Sequence, residues 1–225
     1  MSDNNVPVKV DSHATRKRML LRLAVIAILT AMAVVLMYFE FPLPFMPPFL
    51  KFDFSELPVL VGSFALGPVG GIVIELLKNL LHLPATATMG IGEVSNFITG
   101  SIYVGTAGLV YRKMRTRKGV ALSATVAALA LGLAAIPVNA FITLPLYGSA
   151  MGLSTETVIG ICQSVNPLVK DKLSLLLAAF VPFNLIKGFG IGLIAFLIYL
   201  PLKSFVNKIY DRTHDLSKEK DAKKS

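Results

Sequence analysis

Long uncharged runs, broken by short polar or basic stretches, set the pattern along this chain. Leu23 to Phe39 is seventeen residues without a charge, Gly119 to Thr155 is thirty-seven, and Leu173 to Leu202 is thirty with one charge, Lys187. A helix rises about 1.5 Å per residue and a bilayer's hydrocarbon core is about 30 Å thick, so such runs predict membrane-spanning helices. The first follows the basic cluster Arg16-Lys17-Arg18 in the manner of a signal peptide. It is longer than a usual signal core and no small-residue cleavage site follows, so it is expected to be a retained span. Val94 to Tyr111 reads as another span.

Leu57 to Leu83 is interrupted at Gly67-Pro68-Val69-Gly70-Gly71, which fits either one kinked helix or two short ones. Charge parity decides. The basic residues before Leu23 and those from Arg112 to Lys118 should share the cytoplasmic side. An even number of crossings must separate them, so the interrupted run crosses twice. Short helices of this kind need neighbours or a recess at one end.

Between the first span and this pair lies Phe41-Pro-Leu-Pro-Phe-Met-Pro-Pro-Phe49, leading into Leu50-Lys-Phe-Asp-Phe-Ser-Glu-Leu-Pro58. The prolines predict a stiff, extended loop. Its phenylalanines fit either the lipid interface or a lid over an aromatic ligand. A turn is expected over Pro84–Gly92. The next helix is expected from about Ala121 to Thr143, kinked by Pro137, ending near Leu144-Pro-Leu-Tyr-Gly148. Residues 148–171 then read as an external loop with a short helix after Ser154.

The expected fold is an all-α integral membrane protein of six transmembrane helices with both termini cytoplasmic. Residues 1–18 form a basic tail, 19–205 the membrane domain and 206–225 a charged tail. Composition agrees: 54% of residues are hydrophobic and 16% charged, against about 25% charged in a soluble domain. The net charge of +9 sits in the flanks of apolar runs, which points to membrane lipid rather than nucleic acid. One cysteine and three scattered histidines exclude a local metal-ligand motif and give no metal site.

Lys187 is the anomaly. A lysine near the middle of a span costs about 2.5–3.5 kcal/mol, which points to use or to a carboxylate partner. Asn184, three positions earlier, projects from the same helical face. The assigned topology gathers Lys51, Asp53, Glu56, Lys78, Asn79, Glu93, Asn96 and Asn139 toward the outer side. Each has a plainer reading beside the binding one. Glu75 and Lys78 form an i,i+3 pair that neutralises itself, and Glu93 suits a helix N-terminus. Asn139 serves equally as glue between helices. Acids, amides and phenylalanines together suit a neutral, flat, polyhydroxylated ligand better than a bare ion. No phosphate-binding glycine loop, dinucleotide fingerprint, zinc-protease or nucleophile-elbow motif is present.

Several of these stretches, in order, resemble the riboflavin-specific S-component of energy-coupling factor (ECF) transporters. They are Leu50–Pro58, the Gly67-Pro68 turn, Glu75–His82, Gly92–Phe97, Asn139 ahead of Leu144–Tyr147, and Pro182–Gly188. The resemblance spans about residues 20–205. It implies a six-helix membrane subunit that captures riboflavin at the outer face of a prokaryotic cell membrane, for ATP-driven import. Asn139, Asn184 and Lys187 would hydrogen-bond the ligand, with Glu56, the Leu50 backbone and the first loop closing over it. Lys51 departs from the family pattern. Lys78, Asn79, Glu93 and Asn96 are further candidates. Ala27-x-x-x-Ala31 either packs inside the bundle or, as the resemblance implies, faces the transmembrane coupling subunit. No cofactor is expected in this chain; two partner ATPase subunits would use the ATP. The alternatives are an S-component for another vitamin or flavin, an intramembrane enzyme, and an autonomous ion-coupled carrier.

Overall fold

The computed structural model describes residues 12–214; of the expected tails at 1–18 and 206–225, residues 1–11 and 215–225 lie outside them, while 12–18 and 206–214 belong to the first and last helices rather than to tails. Helices carry nearly all of the described chain. The first, α1 (Ser12–Met37), leads to a hairpin of two-residue arms, β1 (Phe41–Pro42) and β2 (Lys51–Phe52). The arms are antiparallel, with Phe41 opposite Phe52. Between them the proline-rich segment is folded rather than extended. Met46 N–H donates to Leu43 O and Leu50 N–H to Pro47 O, closing two turns. Proline fixes φ near the value that turn positions require, so it serves turns as readily as extended chain.

The interrupted apolar run is two helices, α2 (Glu56–Leu66) and α3 (Pro68–His82). Gly67 between them has φ 85° and ψ 174°, backbone that side chains other than hydrogen rarely tolerate. Pro68 then starts α3 where its missing N–H is no loss. After a single tight turn at Leu83–Ala85 comes α4 (Ile91–Tyr111), entered through Gly90 in the left-handed region.

The next two helical runs are longer than their apolar patterns predict. The helix α5 (Arg117–Val138) does not stop near Leu144 but passes through a π-turn, Asn139–Thr143, into α6 (Leu144–Met151). The π-turn has already shifted the hydrogen-bond ladder, so Pro145 removes little that the helix still needs. The expected short helix after Ser154 is α7 (Thr155–Gln163), capped by the Ser154 side chain accepting from Thr157 N–H. Then α8 (Lys172–Leu175), a second π-turn at Leu176–Phe180 and α9 (Val181–His214) follow without a break. Beyond Leu202, where the apolar run ends, Val206, Ile209, Tyr210 and Thr213 still bury one face of α9. That spacing is the helical i, i+3, i+4, i+7 stripe.

Three helical runs are long and apolar enough to cross a membrane: Thr15–Met37, Arg117–Met151 and Lys172–His214. The helices α5 and α9 pack closely. A Cβ on Gly188 would meet Ala128 Cβ at 2.9 Å, and one on Gly192 would meet Ala124 Cβ at 2.6 Å. Small residues let two backbones approach closely where lipid supplies no hydrophobic drive. Gly100, on α4, is bare for a different reason: a Cβ there would meet Glu75 Oε1 at 2.5 Å. The helices therefore close on one another along most of their length. They part at one end.

Candidate functional site

At that end a cavity of about 410 Å³ opens among the first loop, α4, α5, α7 and α9. Its size falls in the range of small-molecule pockets. Lys187, one and a half turns into α9, stands on its wall. The ammonium donates to Asp53 Oδ2 at 3.1 Å and to Asn96 Oδ1 at 3.2 Å, with Glu56 Oε1 3.7 Å away. Two of its three protons are thereby held by hydrogen bonds, with the Glu56 carboxylate as a further ion-pair partner. The partner that makes a mid-helix lysine tolerable is Asp53, from the loop between β2 and α2. Asp53 Oδ1 also accepts Ser55 N–H at 2.7 Å, which fixes the carboxylate while it holds the lysine.

Behind this wall the charge network continues. Lys78 donates to Glu56 Oε1 at 2.8 Å and pairs with Glu75 Oε1 at 2.9 Å, all three buried. Asn79 donates to Glu75 Oε1 at 2.8 Å and accepts from Asn96 at 3.2 Å. A buried ion pair is tolerable only with such additional hydrogen bonds. Glu56 Oε2 remains buried without a partner.

The two π-turns bring amides to the same space. Asn139 opens the first and donates to Ala135 O at 2.7 Å; Asn184 follows the second and donates to Phe180 O at 2.9 Å. Each bond fixes the rotation of its amide on the cavity wall. Thr143, at the end of the first π-turn, donates to Ser95 Oγ at 3.0 Å and ties the turn to α4. π-Turns recur at functional sites because they re-aim side chains that a regular helix would point elsewhere. Tyr103 closes the floor, its hydroxyl donating to Gly188 O at 2.9 Å.

On the loop side, Leu50 and Lys51 reach the cavity, and Lys51 is ion-paired with Glu40. Phe49 packs on Tyr147 and Phe180, with ring centroids 5.9 and 6.3 Å apart. Phe45, by contrast, is 79% exposed. The loop thus packs Phe49 inward and leaves Phe45 exposed. At the far rim, Glu93 accepts from Thr86 Oγ1 at 2.8 Å and lies 3.0 Å from His82 Nδ1. Glu93 is in the first turn of α4, as its sequence position predicts.

Of the expected site residues, Leu50, Lys51, Glu56, Glu93, Asn96, Asn139, Asn184 and Lys187 line this one cavity. Lys78 and Asn79 stand behind it, where pairing with Glu56 and Glu75 accounts for them. Ala27 and Ala31 lie far from the cavity on the exposed side of α1, not inside the bundle. The sequence pattern does not single out Asp53 as the lysine's partner, nor His82, Thr143, Tyr147 or Phe180. His82 alone left a trace: it and Glu93 bracket the glycine-rich turn, which a polar pair would pin.

Comparison with known proteins identifies the family. Residues 21–199 match the family model described as "ECF transporter, substrate-specific component". The chain is 33% identical to the riboflavin transporter RibU of Staphylococcus aureus, over 84% of this chain and 93% of that one. It is 29% identical to the riboflavin transporter FmnP of Bacillus subtilis, over 83% and 94%. A solved structure of the S component of a bacterial ECF transporter superposes with a TM-score of 0.64 at 34% identity, covering 82% of this chain and 96% of that chain. The family is one of transporter components, which removes the intramembrane enzyme. This chain belongs to the substrate-specific components of ECF transporters.

Proposed function

We propose that the chain binds riboflavin in this cavity and delivers it to an ECF complex for import. One observation carries the reading: the amides of Asn139 and Asn184, the ammonium of Lys187 and the carboxylate of Glu56 belong to residues that line one cavity of about 410 Å³. The donors suit the carbonyl and imide edge of an isoalloxazine ring, and Glu56 suits a ribityl hydroxyl. Phe49, Tyr147 and Phe180 supply the flat apolar surface that the ring faces need. The names of the two relatives add independent support.

The same reading sets the protein in a bacterial cell membrane as a six-span subunit with both termini cytoplasmic and the cavity outward. Basic residues at Arg16–Arg22 and Arg112–Lys118 lie at the end away from the cavity, in keeping with the cytoplasmic rule. Ala27 and Ala31 present a small-residue stripe outward from α1, which suits close approach by the transmembrane coupling subunit. Two ATPase subunits then supply the energy, and lipid contacts the remaining apolar surface.

Titration of the purified protein with riboflavin, read by flavin fluorescence, tests the reading. Saturable quenching, and yellow flavin carried through purification, are expected. Silence toward riboflavin with binding of thiamine or biotin would reassign the ligand.

A further inference from the structure

A second hollow lies far from the cavity, along the seam between α5 and α9. Gly188 sits against Ala128 and Gly192 against Ala124, so the two helices run antiparallel, one turn back for each turn forward. These small residues bring the backbones together and leave larger side chains standing beside the seam. The result is a groove of about 210 Å³ over Ala121, Ala124 and Gly192, flanked by Leu193, Phe189 and Phe196. Thr125 is the one polar residue in its lining. From Phe196 to Phe189 the groove runs about 10 Å along the helix axis. Phe189 and Leu193 are exposed, so it opens away from the bundle.

The mouth of this groove is cationic. The Arg117 guanidinium lies over the Phe196 ring, 4.4 Å from its centroid, and Lys118 follows. Both are exposed. Nearby cations are engaged within the chain: Arg115 pairs with Asp211, and Arg22 donates to Thr213 O. Among the described residues, Arg117 and Lys118 have no carboxylate partner. Their place on the helix is also contrary to its dipole. The first turn of α5 holds these two cations and no acid, whereas α2, α4 and α7 each place a glutamate there. The basic bias of a membrane flank accounts for positive charge anywhere in this loop. It does not account for a guanidinium laid on the ring that ends an apolar groove.

We infer that the seam between α5 and α9 binds an anionic phospholipid, its phosphate held by Arg117 and Lys118 and one acyl chain laid from Phe196 toward Phe189. The inference does not depend on what the cavity takes. Basic pockets between membrane helices hold acidic headgroups because the cations act where water is scarce and the chain beside them fills apolar space. A neighbouring helix suits the groove less well. It is about 10 Å across, too wide to enter, and an apolar one would leave both cations unanswered. The groove also lies on a different helix pair from the Ala27–Ala31 stripe, where α1 packs against α2 and α3.

The chain contains no tryptophan, so a single introduced indole reports on the groove. Phe196→Trp places it under Arg117; Leu193→Trp, at an exposed position in the same groove, serves if the first variant folds poorly. The full chain is reconstituted in mixed vesicles of phosphatidylglycerol and phosphatidylcholine, with one or the other lipid brominated to quench the indole. Quenching should show phosphatidylglycerol favoured over phosphatidylcholine by about fivefold or more at this position. Leu133→Trp, on the lipid-exposed face toward the far end of α5, should show a ratio near one. Arg117→Gln with Lys118→Gln should bring the groove ratio down to that of Leu133→Trp. Equal quenching by the two lipids in the groove, or a preference unmoved by the double substitution, overturns the inference. So does a groove indole that neither lipid quenches while Leu133→Trp is quenched, which would mean that protein covers the seam.

Discussion

The two ends of the bundle bury polar groups by opposite means. At the cavity end, Lys187 and Lys78 are paired with Asp53, Glu56 and Glu75 across four elements. At the closed end the buried polar groups are mostly neutral. Tyr111 and Tyr199 join hydroxyls at 3.0 Å, and Tyr111 packs on Phe64 with centroids 4.2 Å apart. Arg115 lies over the Tyr210 ring at 3.2 Å, Tyr210 stacks on His214, and Arg22 donates to Thr213 O at 2.9 Å. The cavity end keeps an open space of about 410 Å³, while buried oxygens without a partner occur at both ends, Glu56 Oε2 at this one and Asn207 Oδ1 at the other. A protein that only needed to fold would gain by filling that space with apolar side chains. The charged network is therefore better understood as a fixed frame for a ligand than as a source of stability.

Substitutions can break this contrast. The largest effect is expected from Lys187→Met, which strands Asp53 as an uncompensated buried charge and removes a ligand donor. A loss of about 3–5 kcal/mol is expected, seen as abolished riboflavin quenching with protein still recovered from the membrane. Retained affinity would show that the lysine serves packing alone. Next, Gly188→Leu should jam α5 against α9, since even a Cβ there meets Ala128 Cα at 3.0 Å. A cost of about 1–3 kcal/mol is expected in thermal unfolding, with binding lost as Asn184 and Lys187 shift.

Smaller effects sharpen the comparison. Tyr199→Phe removes a hydroxyl bond at the closed end, and about 1 kcal/mol of stability should go with it. Riboflavin affinity should not change, because the hydroxyl bonds only Tyr111 and Arg115 O; weaker binding would mean the two ends are coupled. Ala31→Trp should leave both stability and affinity near wild type, as its side chain is exposed. Uptake in cells should fall, and unchanged uptake would move the partner interface elsewhere.

How far the sequence reaches differs by element. The α2–α3 break was legible because Gly67-Pro68 is a local signal and charge parity demanded two crossings. Lys187 was legible as an anomaly for the same local reason: one charge in thirty apolar residues. The second half of α9 was partly legible, since Val206, Ile209, Tyr210 and Thr213 keep helical spacing. Seven lysine, arginine and aspartate residues over 203–220 disguise that stripe as a tail. The π-turns at Asn139–Thr143 and Leu176–Phe180 have no local signature, because an apolar run reads alike in either ladder. The folded hairpin was misjudged because proline suits a turn and an extended strand equally.

The sequence by itself determined that the chain is a helical membrane protein, where its helices break, and that one buried ammonium needs an explanation. Those follow from hydrophobic run length, glycine and proline, and the expense of a charge in lipid, all of them properties of neighbouring residues. Only the tertiary structure decided that Asp53 answers Lys187, at a sequence separation of 134 residues. It alone also decided which polar groups were consumed by one another and which were left facing the cavity. A hydrogen bond is settled by position in space, and packing the loop ahead of α2 against α9 brings together residues that no local pattern connects.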